Sequence, residues 1–275
     1  IDRAEVMDRM GRRTRELEAD NEKLSDLNRM KDVFLGTASH ELKTPLTSVI
    51  AYAELLDDHE GKLSRDQARE FVGRLRAEAQ RLLSLIEDIL DLSRLESGKL
   101  ALKPRALDIA EVARGAVETT RPLAQRYGVT LEIELAIGLP QLSVDEVKIR
   151  QVLVNLLVNA VKFSPRGAPV RLRTLQDGAC VRVEVHDQGP GIAPDTATHI
   201  FELFGQSVPE DADARGGLGI GLHLVKRITE MHGGHVGVNS RPGEGSAFWI
   251  RLPIAPEAYA TGDVRSGESE ERAAA

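Results

Sequence analysis

The stretch "LGTASHELKTPLTSVIAYAELL", residues 35–56, decides how the first third of this chain folds. Leu35, Leu42, Val49 and Leu56 recur every seven residues, with Ala38 and Ala53 beside them. Such a repeat draws one continuous apolar stripe along a helix. "HEGKLSRDQ" (59–67) interrupts it, and Ser64 with Gln67 has the capping-box spacing that starts another helix. That second helix runs to about Leu95, with Phe71, Leu75, Leu82, Leu85, Ile89 and Leu92 on one face. Two long helices joined by a short loop form an antiparallel hairpin. Its apolar faces exceed what a lone hairpin buries, so a dimeric four-helix bundle is the expected solution.

Within the same stretch, His40 does not serve packing. At 100° per residue it lies about 200° from Leu42, away from the stripe and facing solvent. Thr44 sits one turn on, over the same face. Pro45 has no N–H, so the Glu41 carbonyl loses its helical partner and the helix is loosened where the histidine projects. An exposed imidazole is largely neutral near pH 7, and neutral Nε2 is a good nucleophile. Glu41 beside it can orient Nδ1–H or hold charge on the ring. A surface histidine with no role is the plain alternative for this residue taken alone.

Upstream, residues 1–31 are charged and sparsely apolar. Met10, Leu17 and Leu24 fall seven apart, and Leu27 and Phe34 continue a second seam. The pattern is that of a short coiled-coil entry helix, or of a solvated single helix. Downstream, "ESGKLALKP" (96–104) marks a linker. Mixed patterning then predicts helices over 108–126, 145–163 and 219–232. It predicts strands over 129–135, 168–175, 180–187, 235–240 and 246–252, together an α/β sandwich.

Composition bounds the rest. The 275 residues suffice for two ordinary domains, and the net charge of −7 argues against a nucleic acid as partner. The single cysteine, Cys180, excludes a disulfide framework and a cysteine metal site, and fits a reducing, cytoplasmic setting. No run approaches the ~20 apolar residues of a membrane span. The first residue is Ile1, so the chain reads as a piece of a longer protein with an upstream sensor or membrane region.

The last third carries glycine strings: "DQGPGI" (187–192), "RGGLGIGL" (215–222), "HGGH" (232–235) and "PGEGS" (242–246). Glycines at a helix start let backbone N–H groups approach phosphate. No Gly-Lys-Ser/Thr follows, so this is not a Walker loop. The helix "RQVLVNLLVNAVKFSP" (150–165) is apolar nearly all round except for Asn155, Asn159 and Lys162, which share one stripe. Two amide oxygens and a cation suit Mg²⁺ and phosphate oxygens; a polar seam satisfied by backbone is the alternative. In "CVRVEVHD" (180–187), alternation carries Asp187 inward at a strand end. An inward carboxylate needs donors, which the exocyclic amine of adenine supplies; a turn-capping aspartate is the other reading.

Taken together, these motifs resemble the catalytic core of the sensor histidine kinases of two-component systems. "SHELKTPL" resembles their phosphoacceptor box and "QVLVNLLVNAVKFSP" their asparagine box. "DQGPGI" and "GGLGIGL" resemble the two glycine boxes, "IFELFGQ" (200–206) the phenylalanine box, and "GEGSAFWIRLP" (243–253) the closing glycine-containing segment. The resemblance spans residues 30–254 in the family's order. It implies a multidomain α and α+β protein. An entry helix occupies 1–31 and a dimerisation and histidine-phosphotransfer hairpin 32–97, followed by a linker at 98–104. An ATP-binding domain of the Hsp90-like and gyrase-like type takes up 105–254, and a disordered tail 255–275.

On the same resemblance, His40 accepts the phosphoryl group, Glu41 acts as base or orienting carboxylate, and Thr44 serves dephosphorylation. Asn159 with Asn155 holds Mg²⁺, Lys162 contacts phosphate, Phe163 lines the nucleotide site, and Asp187 reads adenine. Gly189, Gly191 and Ile192 shape the pocket. Gly217, Leu218, Gly219, Ile220, Gly221 and Leu222 cradle phosphates. Residues 192–216 form a lid pinned by Phe201 and Phe204. The implied cofactors are ATP and Mg²⁺, and the implied partners are a second copy and a response-regulator receiver domain. Gln188 and Leu203 depart from the family pattern, where Asn and a basic residue are common, and the lid is acidic. An ATP-gated clamp of the same superfamily would not need the His40 box. A degenerate scaffold would not need Asn159, Asp187 and the glycines.

Overall fold

The computed structural model describes Arg13 and residues 35–58, 63–203 and 219–254. The entry coiled coil and the C-terminal tail lie outside the described residues. The chain divides into two compact units. One takes in the N-terminal helices and 194–224; the other takes in 101–193 and the residues from 225 onward.

In the first unit, residues 35–58 form helix α1 and Arg65–Glu96 form α2. The capping box is present: Gln67 N–H donates to Ser64 Oγ (3.2 Å) and Ser64 N–H donates to Gln67 Oε1 (3.0 Å). Such a cap contributes about 1 kcal/mol by satisfying orphan donors at the helix start. The two helices run antiparallel, since Tyr52 meets Phe71 (ring centroids 6.0 Å apart) and Arg74 (3.3 Å), while Glu41 meets Arg81 (3.5 Å). Ala38, Pro45, Leu92 and Leu95 are buried, whereas Leu46, Ile50, Leu83, Ile86 and Leu90 are exposed. Leu42, Val49 and Leu56 of the seven-residue stripe are half-buried, and the exposed apolar positions lie beside that stripe as further surface that the hairpin leaves uncovered. A short helix the sequence did not signal, α5 (Pro194–His199), groups with this unit.

The second unit opens with strand β1 (Arg105–Leu107), helix α3 (Ile109–Tyr127), strands β2 (Thr130–Leu135) and β3 (Leu142–Val144), and helix α4 (Glu146–Phe163). β4 (Pro169–Asp177), β5 (Cys180–Asp187), helix α6 (Gly221–Met231), whose first four residues count with the first unit, β6 (His235–Ser240) and β7 (Ser246–Pro253) follow. Five strands form one sheet in the order β2-β4-β5-β7-β6, with β2 parallel to β4 and every other pair antiparallel. β1 and β3 make a separate two-stranded ribbon that the sequence reading lacked; strands of three residues carry too little alternation to be seen.

Alternation is strict in the central strands. Val181, Val183, Val185 and Asp187 of β5 and Ser246, Phe248, Ile250 and Leu252 of β7 are buried on one face. α4 supplies Ile149, Leu153, Leu156 and Leu157, all essentially inaccessible. The opposite face carries cross-strand charge pairs, such as Arg171–Glu132 at 2.9 Å, and Arg182 stacked 4.6 Å over Trp249.

Asp145 caps α4, with Oδ1 accepting from Lys148 N–H (3.2 Å) and Oδ2 from the linker's Lys103 N–H (2.9 Å). Its own N–H donates to Nε2 of His232 (3.0 Å), whose Nδ1–H donates to the Ile228 carbonyl (2.7 Å). This fixes a neutral imidazole with 1% exposure. Burial pushes its pKa down, against the opposing pulls of the Ile228 carbonyl and Asp145. Below about pH 6.5 the unfolded chain therefore takes up a proton before the folded one does. Stability is fully present above that pH and falls with acidification, by up to about 1.4 kcal/mol per pH unit, until the folded pKa is reached. Urea unfolding between pH 7.5 and 5.5 should show this slope, and His232→Gln should reduce it. An unchanged slope in the variant would assign the acid sensitivity elsewhere.

Candidate functional site

β5 delivers Asp187 to the end of the sheet with its side chain on the helix-covered face, 9% exposed. Oδ1 accepts two backbone donors, Gly189 N–H at 2.8 Å and Ser246 N–H at 3.2 Å. Oδ2 takes no hydrogen bond among the described residues. The turn-capping reading is realised through Oδ1, and Oδ2 is left as the acceptor that the ligand reading requires. Burial raises its pKa above the usual carboxylate value, and the two N–H donors work against this. A desolvated acceptor of this kind gains most from a ligand N–H.

The turn after Asp187 is packed against α4. A Cβ at Gly189 would come within 3.0 Å of the Phe163 carbonyl, and that glycine is buried. Gly191 (φ 71°) and Gly245 (φ 81°) adopt backbone conformations costly for other residues. A side chain at either would collide with backbone, the Arg241 carbonyl for Gly191 and the Asp187 carbonyl for Gly245. Residues 187–192 and 240–246 interlock as a result, and Gly243 N–H donates to the Pro190 carbonyl at 2.7 Å.

On α4, Asn155, Asn159 and Lys162 are half-buried on the shared stripe, and Phe163 at the helix end is 48% exposed. Nδ2 of Asn155 is buried without a hydrogen-bond partner among the described residues. An orphan amide costs stability in an apolar helix and fits a site completed by ligand oxygens. In this orientation the amide presents nitrogen, which suits phosphate; the reverse orientation presents oxygen, which suits a hard cation. The donor set is therefore compatible with Mg²⁺ held between side-chain amides and phosphates.

His40 is exposed on α1, and its imidazole takes no hydrogen bond among the described residues. Glu41 is only 21% exposed, and Arg81 of α2 faces it at 3.5 Å, a partner the sequence reading did not find. The Thr44 hydroxyl donates to the His40 carbonyl at 3.1 Å, and buried Pro45 follows it. Gly219 (φ 68°), buried Ile220, Gly221 at the head of α6 and half-buried Leu222 belong to the same unit as His40. Phe201 is buried there, and its carbonyl accepts from His223 Nδ1–H at 3.2 Å. Phe204, Gly217 and Leu218 lie outside the described residues. Among the described residues there is no cluster of His, Cys, Asp or Glu able to hold a metal, and no helix long and apolar enough to cross a membrane.

Residues 30–98 match the His Kinase A (phospho-acceptor) domain, and residues 144–256 match the histidine kinase-, DNA gyrase B-, and HSP90-like ATPase family. The Non-motile and phage-resistance protein of Caulobacter vibrioides is 35% identical over 245 residues, covering 87% of this chain and 29% of that protein. The Circadian input-output histidine kinase CikA of Synechococcus elongatus is 37% identical over 229 residues, covering 82% and 30%. The crystal structure of full-length ShkA in complex with AMPPNP shares 36% identity at a TM-score of 0.59, covering 81% of this chain and 46% of that one. The chain thus spans less than a third of the length of these two curated relatives. A helical phosphoacceptor hairpin followed by an ATPase-type mixed sheet, matched in one chain in this order, places it in the sensor histidine kinase family, whose catalytic core it represents.

Proposed function

We propose that this chain binds Mg·ATP, phosphorylates itself on His40, and passes the phosphoryl group to an aspartate of a separate response-regulator receiver domain. The observation that carries the reading is His40 itself. It is an exposed imidazole without a hydrogen bond among the described residues, beside a carboxylate held by Arg81 and one turn before a buried proline. Packing requires none of this.

In this reading Asp187 Oδ2 accepts the adenine amine, Asn155 and Lys162 face phosphate oxygens, and Asn159 offers an amide oxygen to Mg²⁺. When bound, the cation offsets charge on the β- and γ-phosphate oxygens. His40 Nε2 attacks the γ-phosphorus, an N–P bond forms as the bond to the ADP oxygen breaks, and the Nδ1 proton passes to Glu41 or water. Arg81 keeps Glu41 oriented across the hairpin. The uncovered apolar positions of α1 and α2 support a homodimeric four-helix bundle.

Incubation with γ-labelled ATP should yield acid-labile, base-stable phosphate on the chain. Acid-stable label, or none, would defeat the reading and leave an ATP-gated clamp. Light scattering at micromolar concentration should give twice the chain mass; a monomer mass would remove the bundle.

Thr44 is proposed to hold water for dephosphorylation of the receiver. Its hydroxyl donates to the His40 carbonyl, so its lone pairs remain available as acceptors. Thr44→Ala should leave His40 phosphorylation within a few-fold and reduce receiver dephosphorylation about tenfold or more. Equal losses in both assays would point instead to altered bending of α1.

A further inference from the structure

Ser240 ends β6 where the two interlocked segments meet. Its hydroxyl donates to the Gly245 carbonyl (2.7 Å) and accepts from Ile192 N–H (2.8 Å). Ser246 Oγ lies 2.9 Å away. A hydroxyl has one proton and two acceptor sites, so Ser246 must be the donor in the third bond and Ser240 is fully used. Both donors on Asp187 Oδ1 come from the segments this hydroxyl ties. Ser246 N–H follows directly on the Gly245 carbonyl that Ser240 holds. Gly189 N–H belongs to the turn that Ser240 closes at Ile192. Ser240 makes no hydrogen bond to Asp187, but the direction of the free Oδ2 depends on both donors staying in place.

We propose that Ser240 is a positioning residue for base selectivity: by fastening the 187–192 turn to the 240–246 loop, it aims the free oxygen of Asp187 at the 6-amino group of a purine, a position where guanine carries an oxygen. The inference rests on the nucleotide reading of this site. A serine that merely closed a strand end would need one bond to its own loop. This one makes bonds to two segments separated by nearly fifty residues, and each segment contributes a donor to the same carboxylate oxygen.

The test uses the full chain and a fluorescent ATP analogue displaced by ATP or GTP in the presence of Mg²⁺, well below the unfolding temperature. Ser240→Ala should weaken ATP about tenfold and GTP little, reducing the preference for ATP by the same factor. Phosphorylation at saturating ATP should change less than threefold, so the loss appears in KM. Ser240→Thr, which keeps the hydroxyl, should retain the wild-type preference. Ser240→Cys, similar in shape and weak in hydrogen bonding, should repeat the loss if the alanine variant is unstable. Wild-type affinity and preference in Ser240→Ala or Ser240→Cys, even with a lowered melting temperature, would overturn the inference. Failure of the wild-type chain itself to bind ATP would instead overturn the nucleotide reading.

Discussion

His40→Gln should eliminate acid-labile phosphorylation, lowering it at least about a thousandfold as removal of a nucleophile does, and leave Mg·ATP affinity within twofold of wild type. The two halves of the result have separate causes. The imidazole is exposed, so its replacement removes no packing and no hydrogen bond made among the described residues. Glutamine is a good helix former and keeps α1 intact. The residues proposed to hold the nucleotide, Asn155, Asn159 and Asp187, belong to the other compact unit and do not depend on this side chain for their shape. Labelled phosphate persisting on the variant with the same acid lability would place the phosphoacceptor on another histidine. Loss of ATP binding together with phosphorylation would mean that the two units are energetically coupled through His40.

Asp187→Asn should weaken ATP about a hundredfold and erase the preference for ATP over GTP while leaving the fold intact. The asparagine amide oxygen can still accept from Gly189 N–H and Ser246 N–H, so the turn remains capped. The free position now carries an amide nitrogen, and a donor meets the donor of the base. A hydrogen bond to a charged acceptor contributes about 1.5–3 kcal/mol, and opposing two donors costs a similar desolvation penalty. Together these exceed the ~2.7 kcal/mol that a hundredfold change requires. Titration with Mg·ATP like that of wild type, in a variant with an unchanged melting temperature, would show that Asp187 only caps its turn.

Periodicity made much of this legible. The seven-residue stripe of α1, the Ser64–Gln67 cap and the alternation of β5 are local patterns, and each has its element in the structure. The same alternation put Asp187 on the buried face before any coordinates did. What the sequence did not show depends on chain closure. Ser240 and Ser246 fall at the ends of predicted strands and carry no sign of a role until β6 and β7 bring them against the turn at 189–191. Arg81 reads as a surface charge until the hairpin folds it onto Glu41. His232 in "HGGH" gives no hint of its bond to Asp145, 87 residues earlier. Pairing across such distances leaves no period to read.

The place of β7 in the sheet has a consequence for how the protein is made. β7 is the last strand among the described residues, yet it lies between β5 and β6. During synthesis, β2, β4 and β5 can assemble with α3 and α4, but β5 keeps an unpaired edge until Ser246–Pro253 has emerged. β6 is already made by then and has no neighbour. Until that segment emerges the nascent chain therefore carries an open β edge beside a row of valines, a state prone to misassembly. A stop codon before residue 246 would not yield a smaller working domain. It would yield a chain held in that adhesive state, one that the cell's chaperones and proteases would be left to remove.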